Sequence, residues 1–171
     1  MNPPKFSPQL VFSNQAEAAA NFYVSVFKNS KILAIRRFTE EDLAALSDLP
    51  KEDLPGTAGD VNSVIIELDG QDFTLTNGGR YFNFSPGMSI YMRCNTQEEI
   101  DDVWEKLSVN GERQACGWIK DQFGVSWQIV PTVVWEMLKD SNPQKTHSVT
   151  SAIFNMKKLD IRTIQEAYER G

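Results

Sequence analysis

The chain has 171 residues, 41% of them hydrophobic and 23% charged, with a formal net charge of -6. That composition suits one globular domain with a packed core. It argues against nucleic acid and anionic membrane surfaces as partners, because both are held chiefly by Lys and Arg on phosphate. No N-terminal stretch reads as a signal peptide, and no run approaches the roughly 20 apolar residues of a membrane span. Cys94 and Cys116 are too few and too far apart for a disulfide framework. Two reduced thiols and a cytoplasmic location are the expectation.

In chain order, Gln9 to Phe12 reads as a short strand. Asn14-Gln-Ala-Glu17 then reads as a helix N-cap with Glu at N3. Ala18, Ala19, Phe22, Val26 and Phe27 recur at helical spacing, which predicts a helix over about 15–28. Lys31 to Phe38, Asn62 to Leu68 and Asp72 to Thr76 read as strands, the last two joined by a turn at Asp69-Gly70. Residues 39–60 set Glu40, Glu41, Asp42, Asp48, Glu52, Asp53 and Asp60 against Lys51. This acidic insertion has room for one short helix and reads as a solvated loop in preference to a lid.

The same grammar then repeats. Met88 to Cys94 reads as a strand, and Thr96-Gln-Glu-Glu99 as a second capping box. Ile100, Val103, Trp104 and Leu107 form one helical face, with Gly111 as the stop and Trp104 in the place of Phe22. Glu112 to Ile119 and Val125 to Val130 read as strands, and Phe73 overlays Trp127 as Thr74 overlays Gln128. A repeated strand–helix–strands unit predicts an α+β fold of paired βαβββ modules, about 6–79 and about 86–131. The expected product is one curved mixed sheet with a concave cleft, within a single domain of residues 1–171. From 132 to 171 the chain turns helical, with Asn142-Pro143 as a cap pair and a last helix from near Asp160. Val149, Ile153 and Met156 share one tail face, as do Ile161, Ile164 and Tyr168, for packing on the domain or on a second subunit.

Alternation sorts the strand residues onto two faces. Val64, Ile66, Leu68, Phe73, Leu75, Met88, Ile90, Met92, Cys94, Val125, Trp127 and Ile129 belong under the helices. The other face then presents Ser63, Ile65, Glu67, Thr74, Thr76, Ser89, Tyr91, Arg93, Ser126 and Gln128, joined by Gln114, Cys116 and Trp118. Such a face can line a pocket where a few polar groups orient an apolar guest. It can equally be the solvated side of an antiparallel sheet, with Glu67 and Arg93 as an ion pair.

Much chemistry is missing from the sequence. His147 is the one histidine, placed in the tail as a surface helix residue, and there is no His-x-x-x-His or Cys-x-x-Cys. A zinc site or a two-histidine iron site therefore has no ligand set within one chain. Gly78-Gly79 is not a phosphate-cradling loop, and neither G-x-G-x-x-G nor a Walker pattern occurs, so no nucleotide cofactor is expected.

The stretch Cys116-Gly-Trp-Ile-Lys-Asp-Gln-Phe-Gly-Val-Ser-Trp-Gln-Ile-Val-Pro131 resembles the PhnB-like branch of the vicinal-oxygen-chelate (glyoxalase/bleomycin-resistance/dioxygenase) superfamily. That branch is often labelled demethylubiquinone methyltransferase-like. Residues 15–31, Leu68-Asp-Gly-Gln71, Asn77-Gly-Gly79, 94–99 and 156–161 extend the resemblance. It implies βαβββ modules around a cleft, often in homodimers. Metal-using members of the superfamily hold their ion at four positions that fall here near Pro8, Thr74, Ser89 and Gln128, none a histidine or carboxylate. No metal and no cofactor are therefore expected. The methyltransferase label gains no support from the sequence, which lacks a glycine-rich strand–loop–helix with a ribose-binding acid.

The expected function is binding or sequestration of a small, partly apolar molecule by Thr74, Ser89, Tyr91, Arg93, Trp118 and Gln128. The alternative is a metal-independent enzyme in which Cys116, Glu67 or Tyr91 acts as nucleophile or acid/base near Arg93 or Lys120. A metal lyase or dioxygenase with Glu67 as one ligand is a third reading.

Overall fold

Each half of the chain folds as a strand, a helix and three further strands. In this computed structural model residues 5–171 are described, and they divide into two units, one up to Asn83 and the other Phe84–Gly171. The first unit holds β1 (Gln9–Phe12), α1 (Ala16–Val26), β2 (Ser30–Arg37), β3 (Val61–Leu68) and β4 (Gln71–Asn77). Its sheet runs β1-β4-β3-β2, with β1 parallel to β4 and the other pairs antiparallel. The insertion between β2 and β3 carries one short helix, α2 (Glu40–Ala44), and a 3-10 turn at Lys51–Asp53.

The second unit repeats the plan with β5 (Ile90–Cys94), α3 (Gln97–Leu107), β6 (Glu112–Arg113), β7 (Trp118–Lys120) and β8 (Ser126–Pro131). Its order is β5-β8-β7-β6, with β5 parallel to β8. The repeat read from the sequence is real. The expected mixed sheet is built as two open four-stranded sheets, one per module, because each first strand pairs with the last strand of its own module.

Helix α1 departs from expectation by one residue. Its N-cap is Gln15, not Asn14, and no local side chain caps it. The cap comes from Asn77, whose Oδ1 accepts from the Ala16 N–H at 2.9 Å while its Nδ2 donates to the Val61 carbonyl at 2.9 Å. The face beneath is accordingly Ala16, Ala19, Ala20, Tyr23 and Val26, while Ala18 is exposed and Phe22 half-buried. Tyr23, not Phe22, is the counterpart of Trp104. Small alanines let the helix lie close on Val64, Ile66 and Leu75, all fully buried. The Asp69-Gly70 turn is as read, both residues having positive φ (46° and 84°) as a tight hairpin requires.

In the second unit Thr96 caps α3 through the Glu99 N–H at 3.2 Å, and Glu99 reaches back to the Asn95 N–H at 2.7 Å. Ile100, Val103, Trp104 and Leu107 are buried as expected. The predicted strand Glu112 to Ile119 is broken. Cys116 and Gly117 have φ of 60° and 79°, and their N–H groups donate to the carbonyls of Met156 and Lys157 instead of a strand neighbour. A Cβ on Gly117 would lie 2.7 Å from the Ile129 carbonyl oxygen, so the position excludes side chains. Met88 likewise lies before β5 and is exposed, because the chain still turns through Ser85–Met88.

The tail forms α4 (Thr132–Met137), α5 (Pro143–Phe154) and α6 (Ile161–Arg170), with Asn142 and Asp160 as side-chain N-caps. Val134, Met137, Val149, Leu159 and Ile164 pack with Val130 of β8, so the tail helices complete the core of their own unit. No described helix is long and apolar enough to cross a membrane.

One buried carboxylate organises the β7–β8 turn. Asp121, 3% exposed, accepts from the N–H groups of Phe123 (2.8 Å) and Val125 (3.0 Å) through Oδ1, and from the Trp127 indole (2.8 Å) through Oδ2. Asp121→Ala would strand three donors, two of them on the buried residues Val125 and Trp127. A loss of about 3 kcal/mol in urea unfolding is expected, and a loss under ~0.5 kcal/mol, typical of a surface site, would contradict this role.

Candidate ligand-binding face

Asp121 and the alternation of β8 bury Trp127 and Ile129, and so turn Gln128 to the other side of the sheet. Register then places Gln128 opposite Tyr91 of β5 on one flank and Trp118 of β7 on the other. Tyr91, Gln128 and Trp118 form one row across the sheet. The Gln128 Nε2 donates to Ser89 Oγ at 2.7 Å, which fixes the amide and leaves its carbonyl oxygen for a guest. Tyr91 is 42% exposed, whereas Trp118 is half-buried.

Arg93, two residues along β5 from Tyr91, adds charge at the end of this row. Its guanidinium carbon lies 5.6 Å from the Tyr91 ring centroid and 5.8 Å from that of Trp135 on α4. Ser126, expected on the open face, is buried beside the turn, so it offers nothing to a ligand. Burial raises the Tyr91 phenol above its ordinary pKa, with Arg93 partly opposing it. At neutral pH Tyr91 is therefore a neutral hydrogen-bond donor, not a base.

The other candidates occupy different settings. Cys116 is half-buried in the left-handed loop, off the strand that was to align it with Gln114 and Trp118. In the first unit Glu67 pairs with Lys31 at 3.3 Å. Thr74 stands opposite Gln9 on one side and Ile65 on the other, the same position in its sheet that Gln128 holds in the second. His147 is exposed on α5. Sequence reasoning did not single out Trp135. Its signal was there: with Val134 and Met137 on the buried face of a short helix, the neighbouring Trp is left outside.

A second feature was also missed. A cavity of about 540 Å³ in the first unit lies between the start of α1 and the acidic insertion, lined by Glu17, Arg37, Glu52, Asp60 and Arg80 among others. Arg37 is paired with Glu17 at 3.4 Å. Arg80 meets the buried Asp53 at 2.6 Å, and Asp53 also accepts from the Tyr81 hydroxyl at 2.7 Å. This clasp anchors an insertion that is otherwise largely exposed. Glu67 and Thr74 do not line the cavity.

A resident metal of the superfamily's kind does not fit the donors present. Ser89 and Gln128 are a hydroxyl and an amide bonded to each other, with neither the imidazole nor the carboxylate that Zn, Ni or Fe takes. Among the described residues no group of three or more His, Cys, Asp or Glu is placed to hold an ion.

The profile of the family described as 3-demethylubiquinone-9 3-methyltransferase matches residues 4–130. Among solved structures, a putative 3-demethylubiquinone-9 3-methyltransferase, PhnB protein, from Bacillus cereus is 34% identical at a TM-score of 0.62, covering 75% of this chain and 100% of that one. Protein PA1353 from Pseudomonas aeruginosa is 18% identical with a TM-score of 0.57, covering 75% of this chain and 97% of its own. The fosfomycin resistance protein FosX from Listeria monocytogenes is 13% identical with a TM-score of 0.52, covering 82% and 100%. These last two likenesses concern the fold alone. No curated protein matches the sequence.

The two thiols should respond differently to a disulfide reagent. Burial, with Glu99 adding to it, pushes the Cys94 thiol up to about 12, so it stays protonated at pH 8. Native protein at pH 8 should titrate at Cys116 alone, native Cys116→Ser should be silent, and denaturation should release Cys94. Rapid native labelling of Cys116→Ser would contradict the burial of Cys94.

Proposed function

The chain belongs to the 3-demethylubiquinone-9 3-methyltransferase family, the PhnB-like branch of the glyoxalase fold, and from that premise we propose that it binds a small, partly apolar molecule on the open face of its second sheet without a resident metal. The observation that carries this reading is the row Tyr91–Gln128–Trp118. Two aromatic side chains flank an amide whose orientation Ser89 already fixes. Flat apolar groups gain contact area against such rings at small entropic cost, and one oriented carbonyl supplies a directional bond. Thr74 belongs to the same reading as the corresponding position of the first module. A homodimer in the cytoplasm completes it, on the strength of the family resemblance and of the acidic, cysteine-poor composition.

Binding is favoured over turnover because, among the described residues, no hydrogen bond or ion pair joins Glu67, Tyr91 and Cys116 to one another. Glu67 is engaged by Lys31, the Tyr91 phenol has Arg93 as its charged neighbour, and Cys116 lies in a loop tied through its backbone to Met156. The methyltransferase in the family's name forms no part of the reading, since fold likeness does not transmit an activity.

Protein stripped with EDTA and shown metal-free by plasma mass spectrometry should bind the fluorescent probe N-phenyl-1-naphthylamine at one saturable site. Trp118→Ala should weaken that binding about tenfold, as expected for loss of an aromatic anchor. Binding that appears only after a divalent metal is restored, or that ignores Trp118→Ala, would refute the proposal.

A further inference from the structure

Of the seven arginines in this acidic chain, Arg36, Arg37, Arg80, Arg113 and Arg162 each lie against a carboxylate. Like Arg170 at the end of the last helix, Arg93 does not. Among the described residues of its own unit no carboxylate lies within 4.0 Å of it and no acceptor takes its N–H groups; its neighbours are instead the Tyr91 and Trp135 rings. Stacking on a ring engages the face of a guanidinium and leaves its five edge donors for a planar or tetrahedral anion. Trp135 is 52% exposed and also carries Lys139, 5.3 Å from its ring centroid, although Lys139 is itself paired with Glu136 at 3.0 Å. A positive charge without a carboxylate partner thus sits at the end of the Tyr91–Gln128–Trp118 row. Trp135 follows residue 130, where the family profile ends.

We propose that the ligand of this face is an organic anion, a flat apolar body bearing a carboxylate, sulfonate or phosphonate, and that Arg93 receives the anionic group while Trp135 is the positioning residue that holds Arg93 for it. The proposal rests on the reading of this face as a binding site. Charge selects the ligand: an aromatic row alone would take neutral and anionic guests alike, whereas an unpaired guanidinium beside it favours the anion. Retaining an arginine here without a carboxylate partner leaves its donors for a guest to satisfy.

Two probes of nearly the same shape separate the ideas. 8-Anilino-1-naphthalenesulfonate carries a sulfonate that N-phenyl-1-naphthylamine lacks. The full-length wild-type protein should bind the sulfonate about tenfold more tightly, and Arg93→Gln should remove that preference, as for loss of one charge-assisted contact. Arg93→Gln should keep the thermal midpoint of wild type, so that a lost preference reports the charge and not the fold. Trp135→Leu should lose much of the preference and Trp135→Phe should restore it, each with the thermal midpoint of wild type. Equal wild-type affinities for the two probes, or an Arg93→Gln variant that keeps the preference, would overturn the proposal and leave the binding face standing. A change of sedimentation in Arg93→Gln, in place of a change of preference, would make the cluster a subunit contact and also overturn it. Failure of both probes to bind would sink the binding reading together with this inference.

Discussion

Much of the second unit depends on the carboxylate of Asp121. A buried ion of this kind is tolerated only when its lone pairs are filled, and here two backbone N–H groups and an indole fill them. The consequence is directional. Because Trp127 is tied inward, Gln128 must face outward, and the pairing of β8 with β5 and β7 then brings Tyr91 and Trp118 beside it. The composition of the open face follows from how one turn is closed.

The two modules share a topology but solve helix entry differently. Thr96 can cap α3 from within its own segment, whereas Gln15 makes no side-chain cap, and Asn77 reaches across from the end of β4 to do the work. In β8 the corresponding strand end is Pro131, which can do no such thing and opens α4 instead. Each module has also grown at a different place. The first adds an acidic insertion clasped by Asp53 and Arg80 beside a polar cavity, while the second adds tail helices whose apolar faces meet Val130 and whose Trp135 meets Arg93.

Legibility in the sequence followed the range of the interactions. Alternation in β3, β4 and β5 was readable because period-two burial is local, and the capping of α3 and α5 was readable because Thr96 and Asn142 cap their own helices. Helix α1 was misplaced by a residue because its cap comes from Asn77, 61 positions away, and because a run of alanines gives little contrast between faces. The strand over 112–119 was overextended because its break is made by backbone bonds to Met156 and Lys157, which nothing near Cys116 announces. For the site, Tyr91, Gln128 and Trp118 emerged from periodicity and register together. Cys116 leaves the strand face for the reason the strand is broken, and Trp135 escaped because tail helices were weighed only for packing.

Four tryptophans make the central claim directly measurable, since Trp118 and Trp135 border the open face while Trp104 and Trp127 lie in the core. The measurement is the indole N–H region of a nitrogen-15 correlation spectrum, with each signal assigned by single substitution, during titration with 8-anilino-1-naphthalenesulfonate in EDTA. The expected result is progressive, saturable movement of the Trp118 and Trp135 signals with Trp104 and Trp127 unmoved. Movement confined to Trp104 or Trp127, or no movement at saturating probe, would place binding elsewhere and contradict the account.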